Sequence, residues 1–199
     1  MSVHSSAVTA AAWRGPRSPL LDVAAEVLVA DPAASLAAVA AAAGIGRTTL
    51  HKHYATRDDL LYAVGHRAID LCEQAIGTVG EADPGGGLRA LIAALIPIGP
   101  QLAFLWRTPA FGHMKDLEER WIAVEERGSL AVLRRAQEFG CVATDLPDWW
   151  LVQMLHSVVY VAAESVRAGR LAPLDAPGLA LRTLLRGTGE PRPSVKETS

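Results

Sequence analysis

The chain has 199 residues, of which half are hydrophobic and one fifth are charged, and its formal net charge is -2 at pH 7. This length allows one large domain, or a small and a medium one, with a sizeable core. The charge excludes nucleic-acid binding through overall basicity, so such a function depends on where the basic residues lie. The only cysteines, Cys72 and Cys141, lie far apart without metal-ligand spacing. We expect them to be small buried side chains rather than a disulfide or a zinc site.

Residues 1–17 are rich in Ser and Ala and carry two isolated basic residues, Arg14 and Arg17. This composition predicts a disordered arm. The segment also lacks the basic and long apolar regions of a signal peptide. The most apolar stretch, residues 149–163, is shorter than the ~20 residues of a membrane span. These features predict a cytoplasmic protein with no membrane partner.

Helical periodicity and capping residues predict four helices in the first part of the chain. The Ser-Pro pair at residues 18–19 opens the first helix. Ser35 caps the second helix, and Gly44 ends it in a sharp turn. The third helix covers residues 47–54, and the fourth, residues 56–79, opens with a Thr-x-x-Asp variant of the capping box.

A second block of helices follows residues 81–87, which have the composition of a loop. Pro97 and Pro100 interrupt its first helical pattern. A long amphipathic helix covers residues 115–139, and two acidic pairs on it, Glu118-Glu119 and Glu125-Glu126, are typical of a solvated helix face. Two further helices, one covering residues 149–168 and one opening at Pro173 to Pro177 and ending near residue 185, complete the block. The predicted fold class is all-α, with about nine helices and no strand.

All the charged residues between Gly44 and Arg57 are basic, and two histidines lie among them. A basic helix directly after a small apolar one is the layout of a helix-turn-helix, which presents its second helix to the DNA major groove. The alternative that spacing leaves open is an ordinary solvated basic face. The predicted DNA-binding residues are Ser35, Arg47, Thr48, Thr49, His51, Lys52, His53 and Arg57.

The chemistry of these side chains predicts which part of the DNA each one contacts. Arg47 can bind guanine through two hydrogen bonds, and a threonine methyl can contact the methyl group of thymine. His51 lies one turn later and can share this face. Lys52 suits a phosphate contact, and Arg57 lies at a helix N-terminus, where the free amides favour a phosphate.

The segment GIGRTTLHKHYATRDDLL resembles the signature of the TetR family of bacterial regulators. That signature contains a Gly, a short polar stretch, Leu-aromatic-x-aromatic-Phe and then Ser/Thr-Lys-acid-acid-Leu-Leu. The resemblance covers residues 35–61 and implies that the predicted contact residues on the third helix bind operator DNA. Three positions depart from it, because His51 replaces the usual Tyr, Tyr54 replaces the Phe and Arg57 replaces the Lys.

Large apolar side chains with a few polar tips occur in the second block, which is the composition of a pocket for a mostly hydrophobic small molecule. The alternative for each residue is a place in the core. Trp106, Trp121 and Tyr160 are the strongest candidates. The full predicted ligand-binding set is Phe104, Trp106, Phe111, His113, Met114, Trp121, Met154, His156 and Tyr160.

The last two long helices are apolar on more than one face, which predicts burial on several sides. A second copy of the chain would supply this cover through a two-fold four-helix interface. The alternative is a larger internal core. The predicted interface residues are Trp150, Leu151, Leu155, Val158, Val159, Ala162, Leu181, Leu184 and Leu185.

The family resemblance implies a homodimeric repressor that binds a palindromic operator and is released by a small-molecule effector. The expected organisation is an arm (1–17), a helix-turn-helix domain (18–65) with a linking helix to about residue 79, a ligand-binding and dimerisation domain (80–187) and a disordered tail (188–199). The alternative function is a helical small-molecule-binding dimer without specific DNA recognition. We expect no enzyme, cofactor or metal site, because no catalytic or phosphate-binding motif is present.

Overall fold

The computed structural model describes residues 19–79, 84–108 and 113–188 of the chain. Within these ranges the protein is all-α, as the sequence predicts. A 3₁₀ turn, Ile96–Ile98, and a π turn, Glu126–Leu130, each join two α-helical segments end to end. The ten α-helical segments of the described residues therefore form eight continuous helices, close to the predicted nine. The segments are α1 (Pro19–Ala30), α2 (Leu36–Ala42), α3 (Arg47–His53), α4 (Arg57–Gly77), α5 (Pro84–Leu95), α6 (Gly99–Arg107), α7 (Lys115–Glu125), α8 (Ala131–Glu138), α9 (Asp148–Arg167) and α10 (Ala176–Thr188).

Local chemistry fixes the ends of the second, third and fourth helices. The Ser35 hydroxyl accepts a hydrogen bond from the Ala38 amide at 3.2 Å and caps α2. Gly44 has a φ of +67°, a conformation that favours glycine, and it turns the chain towards α3. Thr56 and Asp59 each accept a hydrogen bond from the backbone amide of the other and open α4. The predicted cap, turn and capping box are therefore confirmed.

The second block of helices differs from the sequence expectation at two points. Helix α5 begins at Pro84, inside the segment that we expected to be a loop. Pro97 does not end the helical stretch, because it lies in the 3₁₀ turn that joins α5 directly to α6. The resulting helical stretch, Gly87–Arg107, is long and apolar enough to cross a membrane, but more than half of it is buried inside the bundle. Such burial is typical of a core helix.

Helix α6 lies at the centre of the molecule and packs against α1, α4 and α9. Most of its surface is buried, and Leu102, Phe104 and Leu105 are almost completely inaccessible. Helix α10 packs against α9 and α5 on the far side of the bundle. Because α6 contacts α1 and α4 as well as α9, the first helices and the second block share one continuous hydrophobic core.

Helix α4 is tied to its neighbours by ion pairs as well as by apolar packing. Arg67 lies 3.4 Å from Asp22 of α1. On the other side, Arg120 of α7 donates hydrogen bonds to Asp70 at 2.7 Å and to Glu73 at 2.6 Å. The middle and later part of α4 therefore connects α1 to α7 through charged contacts.

The π turn between α7 and α8 is a site of close packing against α4. A Cβ atom placed on Gly128 would lie 2.5 Å from Cδ1 of Ile76 and 2.9 Å from Cγ2 of the same residue. Only glycine allows this approach without a shift of the neighbouring side chain. Single π turns inside α-helices often occur at functional sites, and this one directly follows Glu125.

Candidate nucleic-acid interface and ligand site

The side chains predicted to contact DNA lie on α3 and at the starts of α2 and α4. Leu50 is fully buried and anchors α3 to the core. The half-buried Tyr54 ends α3 instead of extending it, since the helix closes at His53. Five of the predicted contact residues on α3 are exposed and one, His51, is partly exposed; the exposed ones are Arg47, Thr48, Thr49, Lys52 and His53.

Arg47 and His51 are joined across one helical turn. The Nε of Arg47 donates a hydrogen bond to Nε2 of His51 at 3.5 Å. The two side chains therefore present a joint polar surface on the same face of α3.

Arg57 and Ser35 combine their predicted roles with local structural contacts. The Arg57 guanidinium donates a hydrogen bond to the carbonyl oxygen of Pro32 and so joins the start of α4 to the loop after α1. The Ser35 hydroxyl is occupied by its capping contact with α2. Both residues lie at helix N-termini beside α3, and their phosphate contacts stay predictions.

The electrostatic setting of α3 is positive, although the whole chain carries a net charge of -2. No acidic residue occurs between Gly44 and Arg57. The next acids, Asp58 and Asp59, lie in the first turn of α4, and Asp59 is engaged in the capping box. Localised basic surface of this kind attracts the phosphate backbone of DNA.

Three of the predicted ligand-binding residues come together inside the second block. The ring of His156 on α9 lies 6.4 Å from the ring of Trp106 on α6 and 5.9 Å from the ring of Trp121 on α7. His156 is completely buried and Trp121 almost so, whereas Trp106 is partly exposed. The structure thus joins α6, α7 and α9 through one aromatic group.

A fourth member of this group, Glu125, was missed by the sequence analysis. We expected it on a solvated acidic face, but one carboxylate oxygen lies 3.7 Å from Nε2 of His156 and only 27% of the side chain is exposed. The expectation was wrong for Glu125, while Glu118, Glu119 and Glu126 are exposed as predicted. The available signal was the spacing of Glu125, one turn after Trp121 at the edge of the apolar stripe. We call Trp106, Trp121, Glu125 and His156 the His156 cluster.

Burial shifts the proton affinities of both ionisable members of the His156 cluster. Desolvation raises the pKa of Glu125 to about 7, because the interior disfavours its charged form. The same effect lowers the pKa of His156 to about 4, so its imidazole is neutral at physiological pH. The pair is therefore not a stable ion pair at neutral pH.

The remaining predicted ligand-binding residues are spread over different environments. Phe104 is a core residue, Met114 and Met154 are half-buried, and His113 is exposed before α7. Tyr160 lies outside the His156 cluster and stacks with Arg107, whose guanidinium carbon is 5.1 Å from its ring centre. Phe111 lies outside the described residues, as do the arm residues Arg14 and Arg17.

Tyr160 also lines a half-open groove of about 260 Å³ between α1 and α9. Glu26 of α1 and Pro100 of α6 form one part of its wall. Glu164 and Arg167 form another, and they pair with each other at 2.6 Å. The groove lies where the first helices meet the second block.

The residues predicted to form a dimer interface divide into two groups. Five of them are buried within the single chain and therefore pack its own core: Leu151, Leu155, Val159, Ala162 and Leu184. Trp150 is exposed, and Val158, Leu181 and Leu185 are partly so. The structure adds exposed apolar side chains on the same two helices, namely Trp149, Val161 and Leu179. Periodicity did not separate the two faces because α9 is apolar on both.

Comparison with known proteins agrees with the geometry of the first helices. Residues 20–64 match the family model described as "Bacterial regulatory proteins, tetR family". The chain is 29% identical over 173 residues to the HTH-type transcriptional repressor LfrR of Mycolicibacterium smegmatis, covering 83% of this chain and 86% of LfrR. It is 26% identical over 176 residues to the HTH-type transcriptional regulator NfxB of Pseudomonas aeruginosa, covering 86% of this chain and 94% of NfxB.

Solved structures show the same architecture over nearly the whole chain. The structure of LfrR from Mycobacterium smegmatis in complex with proflavine superposes with a TM-score of 0.65 and 25% identity, covering 87% of this chain and 97% of that one. The TetR family regulator PfmR from Thermus thermophilus has a TM-score of 0.56 and 20% identity, covering 90% of this chain and 99% of its own. The second of these likenesses concerns the fold alone.

Proposed function

Because the chain belongs to the TetR family of bacterial transcriptional regulators, we propose that it is a ligand-responsive repressor that binds a palindromic operator as a homodimer. In this proposal residues 18–65 are the DNA-binding domain, α4 is the linking helix, and residues 80–187 bind the effector and the partner subunit. The protein acts on DNA in the cytoplasm, and its function involves binding rather than catalysis. The observation that carries the proposal is the exposed basic face of α3 on a capped helix-turn-helix.

Operator recognition is assigned to α3 by the exposure and charge of its side chains. Arg47, Thr48 and Thr49 lie in the first turn, where the helix backbone approaches the base edges most closely. Lys52 and His53 lie near the end of α3, where they can contact phosphates. Phosphate contacts position the protein and base contacts select the sequence, so these two sets have separable effects on binding.

A second copy of the chain is assigned to the apolar surface left exposed on α9 and α10. Trp150, Val161 and Leu179 are 43%, 62% and 44% exposed in the single chain. Exposed apolar side chains on adjacent helices are typical of an interface between protein chains. A two-fold dimer would place two α3 helices about one DNA turn, ~34 Å, apart on the operator.

Effector binding is assigned to the second block, and it is supported by the proflavine complex of LfrR, a relative with the same fold. Helix α7 carries Trp121 of the His156 cluster and, beside it, Arg120, which binds Asp70 and Glu73 of α4. A ligand that displaces α7 would therefore move α4, and α4 would move the helices of the DNA-binding domain. The dimer has two states that differ in the spacing of its two DNA-binding domains. The effector acts by binding one of these states more tightly than the other.

Selection of bound sequences from a random DNA pool tests the proposed function. We expect an enriched palindrome, two chains per site, and an affinity that falls steeply with salt because phosphate-bound counterions are released. The absence of any enriched sequence would contradict operator recognition and favour the alternative, a ligand-binding helical dimer.

Two substitutions separate base contacts from phosphate contacts on the selected operator. Arg47→Ala is expected to cost about 1–3 kcal/mol and to relax base preference, whereas Lys52→Ala is expected to weaken all sequences alike and to lower the salt slope by about one. Arg135→Ala, an exposed change on α8, is the matched control for loss of one positive charge. If Arg47→Ala and the control variant change operator affinity equally, the base contact of Arg47 is assigned wrongly.

A further inference from the structure

Arg47 is the one predicted base-contacting side chain of α3 that another side chain holds. Its Nε donates to Nε2 of His51, while the side chains of Thr48, Thr49 and Lys52 make no hydrogen bond to any described residue. His51 lies four residues after Arg47, so the two side chains share a face of the helix. The direction of Arg47 is therefore restricted by a neighbour on the surface that faces the operator in the proposed function.

The atom through which Arg47 is held leaves its recognition end free. A guanidinium carries five N–H donors in a planar fork, and only the single donor on Nε is directed at His51. The two terminal amino groups keep their four donors. Two parallel donors of this kind match the O6 and N7 acceptors of guanine in the major groove. The contact with His51 is therefore compatible with a bidentate guanine contact.

Arg47 gives up no ion pair when it binds a base. It takes part in none of the salt bridges of the described residues. Arg57, by contrast, is tied to the backbone through the carbonyl oxygen of Pro32. Of these two arginines beside the proposed DNA surface, Arg47 is the one whose terminal amino groups are available.

Restriction of a long side chain before binding favours recognition. An arginine loses much rotamer freedom when a base fixes it, and a contact that already restricts the side chain lowers this loss. His51 is partly exposed and anchors no core, so this contact is the clearest role that the structure gives it. A residue of this kind changes which base is preferred without touching the base itself.

We propose that His51 is a positioning residue that determines operator specificity, because it holds the Arg47 guanidinium in the direction needed to bind one guanine in each half-site. The inference rests on the proposed function and deepens it. It assigns the base contact to Arg47 alone, whereas the sequence analysis placed both residues among the DNA contacts.

The preference for a single base pair tests this assignment. The operator selected with the parent protein supplies the DNA, and the base pair at which Arg47→Ala loses its preference marks the Arg47 contact. We expect a G·C pair there, and we expect the parent to prefer it over A·T by roughly tenfold or more. His51→Leu has a similar size but no acceptor, and it should lose most of this preference. His51→Gln can place an amide oxygen near the position of Nε2 and should restore it.

Two further variants separate positioning from a general loss of affinity. His53→Leu removes the other histidine of α3, which makes no hydrogen bond to a described residue. It should keep the parent's preference even if it binds both sequences more weakly. In the Arg47→Ala background, His51→Leu should change the preference no further, because the effect of His51 passes through Arg47. Each preference is a ratio of two affinities measured on one preparation, so an unfolded fraction cancels.

Several results would overturn the proposal. They are a base other than guanine at the Arg47 position, a parent-like preference in His51→Leu, no rescue by His51→Gln, and a change that His51→Leu still produces without Arg47. A loss of preference in His51→Leu at a different base pair would also overturn it, since His51 would then contact that base directly. All of these results presuppose a selected operator. The absence of any selected sequence contradicts the proposed function instead, so the two failures are distinguishable.

Discussion

The guanidinium of Arg120 on α7 lies 2.7 Å from the carboxylate of Asp70 on α4. It also lies 2.6 Å from Glu73 and 3.3 Å from Nδ1 of His66, both on α4. The adjacent residue in sequence, Trp121, belongs to the His156 cluster. A single short segment of α7 therefore contacts both the candidate effector site and the helix that leads to the DNA-binding face.

Replacing Arg120 with Ala is expected to weaken the coupling between effector and operator. The loss of stability should be about 1 kcal/mol, because the three charged side chains are 32%, 37% and 42% exposed and solvent screens them. Effector affinity measured without DNA should change little, while release from the operator should need more effector. The check is a titration of a labelled operator complex with an effector that does not itself bind DNA.

Arg134 provides the matched control for this change. It pairs with Asp148 at 2.6 Å, is about half exposed, and joins α8 to α9 without touching α4. Arg134→Ala should therefore cost a similar small amount of stability and leave the coupling intact. If both variants respond to effector like the parent, the contact between Arg120 and α4 does not transmit the signal.

The variant Glu125→Gln is expected to be more stable than the parent, increasingly so as the pH rises. Burial raises the pKa of Glu125 from 4.5 to about 7, so the folded state holds a proton that the unfolded state has lost between these values. The parent therefore loses stability as the pH rises through this window, by up to about 3 kcal/mol, and the variant does not. Urea unfolding at several pH values measures this difference.

The other groups that face Glu125 do not reverse this sign. His156 of α9 has its pKa lowered to about 4 and is neutral throughout the window. Burial raises the pKa of the Cys72 thiol on α4, which is also neutral there. Glu119→Gln removes an exposed carboxylate from the same helix and should show no pH-dependent gain. A constant difference between Glu125→Gln and the parent across the window would contradict the burial of this carboxylate.

The helix-turn-helix could be predicted from the sequence because its signals are local. Ser35, Gly44 and the pair Thr56 and Asp59 each act within four residues of their own position, so their chemistry does not depend on distant packing. The basic face of α3 is likewise readable from consecutive residues. These are the features for which the sequence and the structure agree.

The burial of Glu125 and the division of α9 into two faces depend on contacts between distant segments. Glu125 lies at the edge of an apolar stripe, and whether it is solvated depends on how closely α4 and α9 approach α7. Leu155 and Trp150 are both apolar residues of α9, but only the packing of α6 and α10 determines which one is covered. Helical periodicity identifies an apolar face and does not identify its partner.

Val161→Glu is expected to convert the proposed dimer into a monomer without unfolding the chain. Val161 is 62% exposed on α9, so a carboxylate there is solvated in the single subunit but would be buried against a second copy. Sedimentation of the parent and the variant at matched concentrations measures the change. Ile122→Glu is the control, because Ile122 is 53% exposed on α7, which is not one of the two helices assigned to the interface. Dissociation by both variants, or by neither, would argue against an interface on α9.

Gly128→Ala is expected to destabilise the protein by about 1–3 kcal/mol, the usual cost of overpacking. The new methyl group would lie 2.5 Å from Cδ1 of Ile76, so the Ile76 side chain, α4 or the π turn must shift. Adding Ile76→Ala to this variant removes the clashing atoms, and the double variant should be more stable than the sum of the two single changes predicts. Urea unfolding of the parent, the two single variants and the double variant measures this coupling.

Gly77→Ala serves as the control for the glycine effect itself, because no neighbouring atom of the described residues lies within 4 Å of a Cβ at that position in α4. It should leave stability unchanged or raise it by about 0.5 kcal/mol, since alanine favours the helix. Additive effects of Gly128→Ala and Ile76→Ala would show that the π turn does not pack against α4 as closely as the structure indicates. A coupled result would instead mean that the segment following Glu125 is held in place by α4, so that movement at the His156 cluster and movement of the linking helix cannot occur independently.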